Sequence, residues 1–227
     1  MCALLPLILV TTLAMTGPAC FLWAQEAHGV GESSLEPEFR QLRSQLRAMP
    51  EFSGSDAYSR FRLAEALAHR GDVHGAIAAY REASAIQPEW PDPYRGLGQV
   101  LLDHHDYAEA AEALEASIRA GRADHQGWYW LGRAYMGRGT WPQAAYALEQ
   151  TVRLEPEDAD ALADLALVRM AQGEVAEAKR ALSEALRLKP DDANIHRLRE
   201  RLAGAGDDAA AVQDSARALL RELFEPQ

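Results

Sequence analysis

The feature that most restricts this chain is that it repeats itself every 34 residues. Four successive windows, 57–90, 91–124, 125–158 and 159–192, carry the same residue types at the same places. One small residue recurs as Ala64, Gly98, Gly132 and Ala166, and another as Ala76, Ala110, Ala144 and Ala178. Large residues flank them: Leu63, Leu97, Leu131 and Leu165 early in each window, then Tyr80, Leu114, Leu148 and Leu182 later. Small side chains let two antiparallel helices approach closely while larger neighbours fill the space between them. Gly71, Gly139 and Gly173 stand where a left-handed residue would end the first helix, and His105 takes that place in the second window. Pro88, Pro156 and Pro190 share one position near the window ends, occupied by Arg122 in the second. Such a period means units that bury their apolar faces only by stacking on one another.

The third window is the most specific. It reads Trp128-x2-Leu131-Gly132-x2-Tyr135, followed by Ala144, Leu148 and Pro156. This resembles the tetratricopeptide repeat (TPR), with Leu148 standing where the family has Phe. The resemblance implies an all-α TPR solenoid, a right-handed superhelix of antiparallel helix pairs, in which the first helix of each pair lines a concave groove for extended or helical peptides. Carried over position by position, that groove comprises Tyr58, Phe61, Arg62 and Glu65 in the first repeat and Asp92, Arg95 and Gln99 in the second. The third contributes Tyr129, Trp130, Arg133 and Met136, and the fourth Asp160, Asp164, Leu167 and Met170. Aromatic and Arg side chains are common anchors of binding, and Met adds an adaptable apolar contact. An aromatic at helical spacing is as readily a packing residue, so a core role stands beside the groove role for Tyr58, Phe61, Tyr129 and Trp130. Trp128 matches the core signature, and Trp141 shares its place with Val73, Tyr107 and Val175, so both read as structural. Some members of the family clamp a C-terminal carboxylate with Lys, Asn and Arg. Arg95 and Gln99 fit half of that clamp, but Trp130 replaces the Asn, and Asp160 and Asp164 would repel a carboxylate.

The flanks differ from the repeats. Residues 1–25 hold no charged side chain. Leu22-Trp23-Ala24 before Gln25 reads as a signal-peptidase site, which makes 1–24 a signal peptide or membrane anchor. Three routes stay open: cleavage after Ala24, which leads; retention as an anchor; and lipidation at Cys20. All three export the rest of the chain, with the bacterial periplasm as the expected destination. Residues 25–35 read as a linker, and 36–56 as a half-repeat helix with Phe39, Leu42, Leu46 and Met49 on one face. Residues 193–227 read as capping helices, with stripes Ile195, Leu198, Leu202 and then Val212, Ala216, Leu219, Leu223.

Chemistry is harder to find than architecture. Both cysteines, Cys2 and Cys20, lie in the N-terminal segment, so the repeats carry no thiol chemistry. A net charge of −11 disfavours nucleic acid as a partner. Asp103-His104-His105-Asp106 falls at a turn between helices and lacks the spacing that converges two imidazoles from one helix face, so it reads as a solvated turn rather than a metal site. Acidic runs such as Glu155–Asp160 read as helix N-terminal charges rather than catalytic pairs. The expectation is a non-enzymatic protein with no cofactor and no metal. The leading function is an adaptor or scaffold of the cell envelope that binds a protein or peptide partner in its groove, in assembly of an envelope complex such as a pilus-assembly machine. Membrane association would run only through the N-terminal segment. One alternative is a self-assembling structural protein, a homo-oligomer stacked through Leu220, Leu223 and Phe224. Another is the TPR subunit of cytochrome c maturation, which GWYWLGRAYMGRGTW resembles.

Overall fold

The structure is a computed structural model in which residues 57–121 and 124–224 are described. The expectations for 1–24, 25–35 and 36–56 lie outside the described residues. Ten α-helices and no strand are found among the described residues. They are α1 (Ala57–His69), α2 (Val73–Ile86), α3 (Pro91–Asp103), α4 (Tyr107–Ala120) and α5 (His125–Gly137). After these come α6 (Trp141–Leu154), α7 (Ala159–Gln172), α8 (Val175–Leu188), α9 (Ala193–Ala205) and α10 (Ala209–Phe224). Each 34-residue window thus holds one helix pair. The helices fall into two compact units, divided between Ile86 and Gln87.

The first unit contains the α1–α2 hairpin. Ala64 and Ala76 are fully buried, which brings the two axes close, and the Phe61 ring packs on Tyr80 with centroids 5.9 Å apart. An Arg60–Glu82 ion pair of 2.9 Å joins the helices at the surface.

The second unit contains three more hairpins, α3–α4, α5–α6 and α7–α8. Its glycines show why the small positions are small: a Cβ on Gly98 would fall 2.5 Å from Cγ of Leu114, and one on Gly132 would fall 2.8 Å from Cγ of Leu148. Helix starts are fixed by aspartates in the inter-repeat segments. Asp158 accepts from the amides of Asp160 and Ala161, and Asp192 from those of Asn194 and Ile195. Asp124 accepts from the amide of Gly127 at 2.7 Å. These bonds satisfy donors that a helix N-terminus otherwise leaves open, and they account for the acidic runs between repeats.

The turns inside the hairpins share one geometry. Gly71, Gly139 and Gly173 have φ of 79°, 72° and 80°, and His105 adopts 63°. One residue further on, the amides of Asp72, Asp106, Thr140 and Glu174 donate to the carbonyls of Leu67, Leu101, Tyr135 and Arg169. This six-to-one bond ends the first helix and needs a left-handed residue just before the donor. His105 meets that need at a steric cost of about 1 kcal/mol that glycine avoids.

The C-terminal segment departs from a simple terminal pair. Helix α9 buries Ile195 and Leu202 in the core beside α8, as the first helix of a further repeat would. Helix α10 does not settle chiefly on α9; it lies across α7 and reaches α5. The buried residues of α10 are Val212, Ala216, Leu219, Leu220 and Phe224, and Leu223 is 54% exposed. The expected stripe through Leu223 is therefore rotated toward Leu220 and Phe224. The reason is apolar area. Helix α9 offers mostly Arg and Glu beyond Ile195, Leu198 and Leu202, whereas α5 and α7 present Met136, Leu167 and Met170.

Candidate partner-binding groove

The first helices of the second unit, α3, α5 and α7, carry the groove candidates of repeats two to four. Tyr129 and Trp130 stand side by side on α5, ring centroids 5.2 Å apart and tilted by 60°. The Arg133 guanidinium, one turn on, lies 5.8 Å from the Trp130 ring and also 5.8 Å from the ring of Phe224 on α10. A cation held between two aromatic faces is attracted by both quadrupoles. Asp164 on α7 interacts electrostatically with Tyr129 and Arg133 of α5. Burial lifts its carboxyl from the usual 3.8 to about 6, against the downward pull of Arg133 and of the Tyr129 hydroxyl. Burial likewise pushes Tyr129 well above the ordinary tyrosine range, helped by the charge of Asp164. The cluster is thus polar, half-buried and electrostatically coupled.

Helix α10 covers the other half of this face. Met136, Leu167 and Met170, expected to meet a partner, are 2%, 1% and 0% exposed and join one core with Val212, Ala216, Leu219, Leu220 and Phe224. They are not free to touch an outside ligand while α10 is in place. Both ends of α10 are fastened to the repeats. Near its start, Nε2 of Gln213 donates to the carbonyl of Gln172 at 3.0 Å. At its end, the Tyr107 hydroxyl donates to the carbonyl of Phe224 at 2.7 Å, and the two rings meet edge to face, 5.5 Å between centroids. His105 Nδ1 lies 2.5 Å from the same hydroxyl, and since that proton is given to Phe224, the imidazole nitrogen is the donor.

The remaining candidates are distributed unevenly. In the first unit Tyr58 is 61% exposed, Arg62 is exposed and pairs with Glu65 at 2.8 Å, and Phe61 is a packing residue against Tyr80. On α3, Arg95 is bound by two aspartates, Asp92 at 2.5 Å and the helix-capping Asp124 at 2.6 Å, with Gln99 half-buried one turn on. Asp160 pairs with Lys189 at 2.8 Å. Trp128 is half-buried with its ring edge-on to Tyr146, and Trp141 packs against the main core. The turn residues Asp103, His104, His105 and Asp106 are exposed, and no group of three metal-ligating side chains occurs among the described residues. Among the described residues, no helix is long and apolar enough to cross a membrane.

A family model described as the cilia and flagella-associated protein 70 C-terminal domain, a TPR family, matches residues 32–222. The chain belongs to this TPR family. No curated protein is similar enough to count as a relative. Solved TPR structures share the fold at low identity. A TPR protein called YrrB, described as having an unusual peptide-binding site, is 22% identical with a TM-score of 0.61, over 74% of this chain and 89% of its own. The MamA protein is 23% identical at a TM-score of 0.63, over 77% and 98%. PilF of Pseudomonas aeruginosa is 20% identical at 0.60, over 83% and 85%. The all-α TPR solenoid read from the repeats is therefore the fold of this chain.

Three features of the site escaped the sequence. They are the burial of Asp164, the placement of Phe224 and the seating of α10, and the last two depend on which helix α10 packs against. The signal that was present is the apolar spacing of Val212, Ala216, Leu219, Leu220 and Phe224, too rich for a helix covered on one side by α9 alone. With Leu220 and Phe224 buried inside the chain, the apolar ends that suggested self-assembly reduce to Leu223.

Proposed function

We propose that this TPR protein is a non-enzymatic scaffold that binds a protein or peptide partner on the face lined by its first helices, the concave face of the TPR arrangement. The observation that carries the reading is the half-buried cluster of Tyr129, Trp130 and Arg133 beside Asp164. Paired aromatics with an oriented guanidinium bury much area at little entropic cost, which is the composition of a binding hot spot. A peptide-binding site described for YrrB on the same fold is consistent with this use. We also place the protein in the cell envelope, exported by its uncharged N-terminal segment, with assembly of an envelope complex as its setting.

The test is affinity capture from soluble and membrane fractions with the wild type and with Trp130→Ala/Arg133→Ala. Proteins held by the wild type and lost with a variant of unchanged helicity support the reading. Capture that is indifferent to both substitutions refutes the placement of the site. N-terminal sequencing of the protein recovered from the envelope, expected to begin at Gln25, checks the export.

A further inference from the structure

Resting on that reading, we propose that the face of α5 and α7 is a helix-binding groove whose resident occupant is the chain's own α10, and that a partner presenting an amphipathic helix of the same pattern takes its place.

The structure states what such a helix must offer. Its apolar residues occupy the positions of Val212, Ala216, Leu219, Leu220 and Phe224, which is one stripe over more than three turns. Against them stand Met136, Leu167 and Met170, and methionines adapt to an altered ligand better than branched side chains do. An aromatic residue at the last of those positions meets the Tyr107 edge and the Arg133 cation. The two fastening hydrogen bonds involve main chain on one side each, a Gln172 carbonyl and a Phe224 carbonyl. The second of these, from Tyr107, is available to any helix that ends there.

Helix α10 is attached in a way that favours exchange. It is joined to α9 by a segment around Gly204 and Gly206, and a side chain added at either glycine would meet nothing within 4 Å. Asp207 and Asp208 in that segment are exposed. Its links to α9 include surface pairs of Glu222 with Arg197 and Arg201. The outward face carries Asp214, Arg217, Arg221 and Glu222, so α10 can leave the groove with its polar face already hydrated.

The experiment uses a fluorescent peptide with the sequence of residues 207–227 and two full-length proteins, the wild type and Leu219→Asp/Phe224→Asp. The variant places two charges at the seat of α10 and empties the groove. The peptide is expected to bind the variant and to become helical on binding. It is expected to bind the wild type about a hundredfold more weakly, since a groove filled about 99% of the time lowers the apparent affinity by the open fraction. Binding to neither protein, or equally to both, overturns the proposal. A wild-type dimer that the double substitution dissociates also overturns it, because the outside occupant is then a second copy. Should the variant lose helicity, hydrogen exchange of the wild type decides. Amides of 209–224 opening well before those of 159–172 support exchange, and opening together with them overturns it. Partner capture sensitive to Trp130 and Arg133 can stand while the peptide result fails, so the two readings fall separately.

Discussion

Asp164→Asn should stabilise this protein, and only above a particular pH. The carboxyl of Asp164 is raised to about 6 in the folded chain, chiefly by burial. Unfolded, it returns to its usual 3.8. Between about pH 4 and pH 6 the folded state therefore holds a proton that the unfolded state has released. Stability contributed by this group is full below that window, falls as pH rises through it, and stays low above it. The difference between 3.8 and about 6 corresponds to about 3 kcal/mol, and the solvent still reaching the side chain reduces this to about 2 kcal/mol. Asn matches the shape of Asp and never ionises. The variant should then match the wild type within about 0.5 kcal/mol near pH 4 and exceed it by about 2 kcal/mol near pH 7.5. Urea unfolding followed by circular dichroism across that range measures both proteins, and subtracting the curves removes the titration of every other carboxylate. A variant that is less stable at neutral pH would refute the reasoning, for it would mean that Arg133 stabilises the Asp164 charge by more than burial costs.

Other substitutions probe packing and turns. Gly98→Ala should destabilise by a net amount of about 1–2 kcal/mol in chemical denaturation, because the clash with Leu114 outweighs the gain in helix propensity. Gly173→Ala should cost more than the roughly 1 kcal/mol expected of Gly71→Ala. Both residues are left-handed, but only at Gly173 does the new Cβ meet the Gln213 amide, at 2.7 Å. His105→Gly should fall within about 0.5 kcal/mol of the wild type, as relief of the left-handed strain offsets the lost bond to Tyr107.

The repeats were legible because each constraint recurs. Four alanines at one position and four turn residues at another announce the hairpin geometry before any contact is known, and even the exception at His105 lies in the left-handed region the pattern requires. The groove was only half legible. Tyr129, Trp130 and Arg133 do form a cluster on α5, but Phe61 is used against Tyr80 within its own hairpin. Met136, Leu167 and Met170 bear side chains suited to a ligand, and what covers them is part of the same chain. A repeat pattern encodes how neighbours stack. It carries no information about a helix outside the repeat that folds back over several units.

The hydrogen bond from Tyr107 to Phe224 joins residues 117 apart in sequence. An array in which each repeat touches only its neighbours frays from its end, one unit at a time. While α10 is seated, this bond ties its last turn to the turn of the second repeat, so the C-terminal repeats do not peel away singly, and unfolding of that unit gains cooperativity. The same arrangement imposes an order during synthesis. The repeats leave the ribosome ahead of residues 209–224, and until that helix emerges to close over them the groove of each newly made molecule stands open.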